Sequence, residues 1–262
     1  MAVIHVTKHH GIAIVALNRP EKRNAMSFSL LKQLVKTAQQ LKQDRDLRCV
    51  ILTGEAHIFS AGIDLHDLNN PRHMAYAVWE QLKPGQSLFQ RACLIWQELP
   101  VPVIAAIEGY CFGAGMQLAL AADFRIAHPT TQMSVMESRW GLVPDMGLTQ
   151  ALRGLVPLDI AKELTFTGRI FTAQHAKELG LVTHLHEQPL DQALELAGQI
   201  SQRSPDAIFA AKRVLDAMIH RPDKSLRLEK IWQLKLLLGK NSKLARQKDR
   251  HPEIQFASRQ FK

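Results

Sequence analysis

The chain has 262 residues, 46% hydrophobic and 22% charged, with a formal net charge of +9. That length suits one large domain, or a core with a small appendage, and can bury a sizeable core. No apolar run approaches the ~20 residues of a membrane helix and no basic stretch leads an apolar one at the N-terminus, so a membrane span is excluded and a secretory leader is not expected.

Two short alternating runs open the chain, "VIHVTKH" and "GIAIVALN", and read as a hairpin. Residues 27–44 form an amphipathic helix that Ser27 or Ser29 can cap, with apolar positions at Leu30, Leu31, Leu34, Ala38 and Leu41. "CVILTG" (49–54) is a continuous apolar strand, the kind covered on both faces. A short helix follows "FSAGID", and Pro71, Pro84 and Gly85 break residues 71–98 into two helical pieces. "VPVIAAIEG" is a second buried strand, and a helix begins near Gly113. "DFRIAHP" and "TQMSVME" are short strands, and the remainder reads as helices, ending with "PEIQFASRQF". Strand–helix alternation followed by helices predicts an α/β layered core with a helical region from about residue 200.

Three cysteines, Cys49, Cys93 and Cys111, sit in apolar or helical contexts and read as core filler in a reducing, cytoplasmic protein. The basic charge suits nucleic acid, an anionic membrane or a small polyanionic substrate. It is dispersed, denser only over 240–262, with no aromatic platform beside it, which argues against nucleic acid and for solvated faces. The twelve histidines show no metal-ligand spacing, and no P-loop or dinucleotide fingerprint is present.

Two junctions share a design. "CVILTG…FSAGID" and "VIAAIEGYCFGAG" each carry a strand into a glycine-rich turn and then a helix. Either alone is an ordinary connection. Together they can aim two backbone N–H groups at one oxygen, which makes an oxyanion hole. The first functional side chain on the second helix is a neutral amide, Gln117.

The stretches "ALNRPEKRNAMS", "IFSAGIDL", "PVIAAIEGYCFGAGMQLALAADFRIA", "ESRWGLVPDMGLTQALRGLVP", "TGRIFTAQHAKELGLVTHL" and "SPDAIFAAKR" occur in this order along nearly the whole chain. Through them the chain resembles the crotonase (enoyl-CoA hydratase/isomerase) superfamily, nearest in motif to its dienoyl-CoA isomerase-like branch. The resemblance implies a crotonase (ClpP-like) α/β fold of layered sheets with repeated ββα units over 1–200. A helical region over 201–262 would serve oligomerisation and lid the coenzyme A pocket. It implies a homotrimer or a dimer of trimers, a coenzyme A thioester as substrate, and no permanently bound cofactor or metal.

By motif position, the N–H groups of Ile63 and Ala114 would hold the thioester oxygen and stabilise an enolate. Lys22 and Arg23 match positions that meet the coenzyme A phosphates and adenine. Ala25, Ala61, Gly62, Asp64, Leu65, Gly113 and Met136 match the path of the bound thioester. Phe256 and Arg259 match positions that reach coenzyme A, often from a neighbouring subunit. Hydratases of this family use two glutamates; one is present as Glu137, and the other position is Gln117, which can orient water or substrate but cannot trade protons. Losing one general acid/base costs ~10²–10⁴ in rate. Asp145 stands where hydratases have glycine and dienoyl-CoA isomerases have aspartate, so Glu137 and Asp145 together could move a proton between two carbons. The isomerase reading competes with a hydratase using Glu137 alone, with thioester hydrolysis, and with an RNA-binding homologue. Structural readings also stand: Glu137 could pair with Arg139 or Arg125, and Asp145 could cap the helix after it.

Overall fold

A computed structural model describes residues 2–248 and 251–261, so Asp249, Arg250 and Lys262 of the basic C-terminal stretch lie outside the described residues. The opening hairpin is present: β1 (Ile4–His9) pairs antiparallel with β2 (Ile12–Leu17) around His10 and Gly11, both at positive φ. Helix α1 (Phe28–Gln43) starts at Ser27, whose hydroxyl accepts from the Leu30 amide. Its Leu30, Leu31, Leu34, Ala38 and Leu41 face is buried, as the 3.6-residue period dictates.

Strand β3 (Cys49–Gly54) runs parallel to β2 and leads to α2 (Leu65–Leu68), α3 (Pro71–Leu82) and α4 (Leu88–Leu94). Strand β4 (Val103–Ile107) pairs parallel with β3, and every residue of it is buried. After β4 come β5 (Tyr110–Phe112), α5 (Ala114–Leu120), β6 (Phe124–Ala127) and β7 (Gln132–Ser134). Four short elements follow: α6 (Leu148–Ala151), α7 (Leu158–Thr167), β8 (Phe171–Thr172) and α8 (Ala173–Glu178). The chain then passes through β9 (His184–Leu185) into α9 (Pro189–Ser201), α10 (Pro205–His220), α11 (Pro222–Leu238) and α12 (Lys240–Lys248).

The strands form two sheets, one ordered β1-β2-β3-β4-β6-β9 and a smaller one ordered β5-β7-β8. Helix α9 covers one face of the larger sheet through Ala193 and Ala197 against Cys49, Ile51, Ile104, Ala106 and Ile126. The main core lies on the other face, around Leu34, Leu52, Trp96, Val103 and Met116. Helices α10 and α11 hold a separate apolar cluster of Phe209, Ala210 and Trp232, closed by Phe261. All three cysteines are buried and free.

Two expectations need correction. Residues 110–112 are not merely a turn into a helix: they form β5, whose partner β7 arrives some twenty residues later and leaves no local pattern. The last segment, 252–261, is not a helix. Its backbone donors are taken by distant groups: Ala257 N by Asn241 Oδ1 (2.9 Å), Arg259 N by Arg45 O (3.0 Å) and Gln260 N by Asp206 Oδ1 (2.7 Å). Tertiary partners outcompete helix propensity there.

Candidate active site

The two glycine-rich junctions meet. Residues 58–64 are bound to β5 by Ser60 N to Tyr110 O (2.8 Å) and Phe112 N to Ser60 O (3.0 Å). On their other edge they meet the segment after the Pro20–Lys22 turn, with Met26 N donating to Gly62 O (2.7 Å) and Asp64 N to Met26 O (3.0 Å). In this parallel bridge Met26 uses the groups flanking Ile63, so the Ile63 N–H points the opposite way. Ala114 is the first residue of α5, so its N–H has no helical acceptor one turn back.

The backbones come close enough that a Cβ on Gly62 would lie 3.0 Å from Phe112 O and 3.8 Å from Ala114 N. Gly62 also has φ +100°, a conformation that side chains disfavour. Ala114 lies in ordinary helical backbone, so its methyl group leaves the N–H in place.

Ile63 and Ala114 both line a cavity of about 360 Å³. Its walls bring together Ala61, Gly62, Ile63, Leu65, Gly113, Ala114, Gln117, Met136, Glu137 and Asp145. The other wall is apolar, from α3 and the 140–146 loop, and includes Met74, Val78, Trp140 and Val143.

Gln117 is 1% exposed and is used at both ends of its amide: Nε2 donates to Glu137 Oε1 (2.7 Å), and Oε1 accepts from Met146 N (2.9 Å). Its geometry is that of a brace holding Glu137 and the 145–147 loop, rather than of a group free to orient substrate. The other Glu137 oxygen, Oε2, is buried and has no hydrogen-bond partner among the described residues. Burial pushes the Glu137 pKa above the usual carboxylate range, against its own backbone amide and the Gln117 bond, and the Asp145 charge adds to the rise. Burial also raises Asp145, opposed by a hydrogen bond from Gln81 of α3 and by its own backbone amide.

The structural alternatives for these acids do not hold. Arg125 donates to Leu181 O and Ala122 O, and among the described residues Glu137 Oε1 is held by Gln117 while Oε2 has no partner. Helix α6 starts at Gly147 with no side-chain cap.

The remaining candidates fall into two groups. Lys22 and Arg23 are exposed on the turn beside the cavity; Arg23 O accepts from Ala61 N (2.9 Å), and its guanidinium lies over the Tyr110 ring. Ala25 lies next to them, its carbonyl held by Arg19. Asp64 caps α2 through His66 N and pairs with Arg19 (2.9 Å). Burial opposes its ionisation, but Arg19 outweighs that and holds its pKa below the usual range.

Phe256 is half-buried beneath Lys248. Arg259 is 3% exposed, donates to Asp44 O and Phe261 O, lies over Phe209, and keeps its Nη1 without a partner among the described residues. Sequence reasoning missed Asn24, whose buried side-chain amide holds Glu55 O and Ile58 O, and it missed Gln81. Among the described residues no cluster of His, Cys, Asp or Glu could hold a metal ion, and no helix is long and apolar enough to cross a membrane.

Residues 7–243 match the enoyl-CoA hydratase/isomerase family. The Bacillus subtilis protein YngF is 38% identical over 215 residues, covering 80% of each chain. The mitochondrial Delta(3,5)-Delta(2,4)-dienoyl-CoA isomerase of Rattus norvegicus is 34% identical over 234 residues, covering 85% of this chain and 71% of that protein. Enoyl-CoA hydratase from Bacillus anthracis superposes with a TM-score of 0.89 at 30% identity, covering 99% of this chain and 100% of the other. With its crotonase fold and these matches, the chain belongs to the enoyl-CoA hydratase/isomerase family, whose members act on coenzyme A thioesters without a permanent cofactor.

Proposed function

We propose that this enzyme shifts double bonds in an enoyl- or dienoyl-CoA. One observation carries the reading: the cavity holds two carboxyl groups, Glu137 and Asp145, while the second acid position of a hydratase is an amide already bound at both ends. The thioester oxygen accepts from the Ile63 and Ala114 N–H groups. One carboxylate removes a proton from the carbon next to the thioester, and the electron pair moves onto that oxygen. The amides lower the cost of the enolate because they are fixed before charge develops. The other carboxyl returns a proton further along, at C6 if the substrate is a 3,5-diene, giving the 2,4-diene. No water is consumed.

Lys22 and Arg23 would take the coenzyme A phosphates, with Ala25, Ala61 and Leu65 along the path to the cavity. Helix α11 leaves Leu226, Leu234 and Leu237 exposed, which supports assembly as a homotrimer or a pair of trimers. The second reading is a hydratase in which Glu137 works alone, favoured by its unpartnered Oε2.

The test is incubation with 3,5-dienoyl-CoA and with 2-enoyl-CoA in deuterated water. Deuterium entering the chain without an added hydroxyl group supports isomerisation. Fast hydration that Glu137→Gln abolishes and Asp145→Asn leaves untouched refutes it.

A further inference from the structure

Helix α3 is built the wrong way round for a surface helix. Its buried side chain is an acid, Glu80 at 2% exposure, while Met74, Val78, Trp79 and Leu82 are exposed. Glu80 accepts from the Leu88 amide at the start of α4, pairs with Lys83 Nζ at 2.6 Å, and bonds the Tyr76 hydroxyl. This fixes the C-terminal turn of α3 against α4 and sets its rotation.

With that rotation, Met74, Ala77, Val78 and Gln81 line the cavity. They recur at i, i+3, i+4 and i+7, one face of the helix. Three of the four are apolar. The fourth, Gln81, ends the stripe, and its Nε2 donates to Asp145 Oδ2. The contact spans 64 residues of sequence.

We propose that Gln81 is a positioning residue: from the cavity-lining face of α3, its amide holds the Asp145 carboxylate in its ionised, proton-accepting form and in a fixed orientation. This rests on the reading of Asp145 as a proton-transfer group. A donor on one carboxylate oxygen favours the charged form and leaves the other oxygen free to receive a proton. The brace is the counterpart of Gln117, which holds one oxygen of Glu137 and leaves the other unpartnered. Each acid of the cavity thus has one oxygen on a glutamine amide.

Other groups bear on Asp145. Glu137 lies on the Glu137–Trp140 turn, and the Asp145 charge adds to the rise of its pKa. The Cys93 thiol of α4 is buried and pushed up, so it stays neutral. On α3 itself, Glu80 and Lys83 are paired with each other. Gln81 is the one donor to Asp145 from another element among the described hydrogen bonds.

The experiment compares the full-length enzyme with Gln81→Met, which keeps the length and loses the donor, and with Gln81→Lys, which supplies a charged one. Gln81 is exposed, so neither change threatens folding, and melting curves verify this. The Asp145 carboxyl is titrated by NMR on protein labelled with carbon-13 aspartate, its signal identified by loss in Asp145→Asn. The pH profile of kcat/KM on 3,5-dienoyl-CoA is measured in parallel.

In Gln81→Met the Asp145 titration and the acid limb of the profile should both rise by about one pH unit, with kcat down about tenfold and KM within about twofold. In Gln81→Lys both should fall below wild type. An Asp145 titration identical in wild type and Gln81→Met overturns the proposal. Shifted titrations with no turnover of dienoyl-CoA by any variant uphold the hold of Gln81 on Asp145 and refute the isomerase reading instead.

Discussion

Replacing Gln117 by Glu tests how the site partitions its protons. The substitution puts a carboxyl oxygen where Nε2 now lies, 2.7 Å from Glu137 Oε1. Two ionised carboxylates with charge centres roughly 4 Å apart repel by about 4 kcal/mol at an effective dielectric of about 20. That equals about three pH units. The pair escapes the repulsion by keeping one proton, so an O–H···O bond replaces the N–H···O bond, while the Met146 amide still finds an oxygen on residue 117. The variant should therefore fold and carry one shared proton at neutral pH.

Its folded-state pKa is raised, so the stability that the pair contributes is complete below the unfolded carboxylate value. It is lost as pH rises through the raised value. Thermal melts of Gln117→Glu should fall relative to wild type as pH is taken from about 5 to about 8. One protonated and one ionised carboxyl side by side also restore the two-acid arrangement of a hydratase, and hydration of 2-enoyl-CoA should rise by roughly 10²-fold or more. Loss of the conjugated enoyl absorbance reads the rate. Melts parallel to wild type across that range, with unchanged hydration, would show that residues 117 and 137 do not share a bond.

Glu137→Gln should abolish most turnover, by roughly 10²–10⁴-fold, yet stabilise the protein at neutral pH. The raised Glu137 pKa means its contribution is present below the unfolded value of 4.5 and lost as pH rises through the folded one, and an amide removes that loss. Urea midpoints at acid and neutral pH read this. Gly113→Ala forces a side chain to φ +49° and ψ −114°, outside the left-handed helical region, with its Cβ 3.3 Å from Glu137 Oε1, which should cost about 1–3 kcal/mol in denaturant melts and lower kcat by displacing Glu137. Lys212→Met removes the 2.6 Å bond to Asp123, a half-buried acid that also accepts from Val103 N. Leaving that charge unpaired should cost about 3 kcal/mol, read as a lower melting temperature with KM unchanged.

What was legible in the sequence follows from what each interaction depends on. The hairpin, α1 and β3 are written in local patterns (alternation, a 3.6-residue period and a continuous apolar run), and they stand where those patterns put them. The approach of the two glycine-rich junctions was legible because glycines mark where backbones must touch, and Gly62 against Phe112 O is such a contact. Strand β5 and the extended tail were not, since partners such as Gln132, Asp206 and Asn241 lie far off in sequence. The setting of Arg259 was hidden for a related reason: a motif gives the position of a Cα, and only the fold shows its guanidinium donating to Asp44 O.

The acids show the same division most sharply. Glu137 and Asp145 could be named from their stretches, but burial raises both, the hydrogen bonds from Gln117 and Gln81 oppose that rise, and each of those contacts exists only after α5 and α3 have docked. Gln117 therefore changes meaning between sequence and structure. As a letter it marks a missing acid. In the fold it is the donor that keeps Glu137 oriented with one oxygen free, and it ties that acid to the loop carrying Asp145 through Met146 N. The proposed reaction, in which one carboxyl takes a proton from carbon and the other returns one, needs both held apart and both aimed, and two neutral amides do this without adding charge to a cavity whose acids already resist ionising.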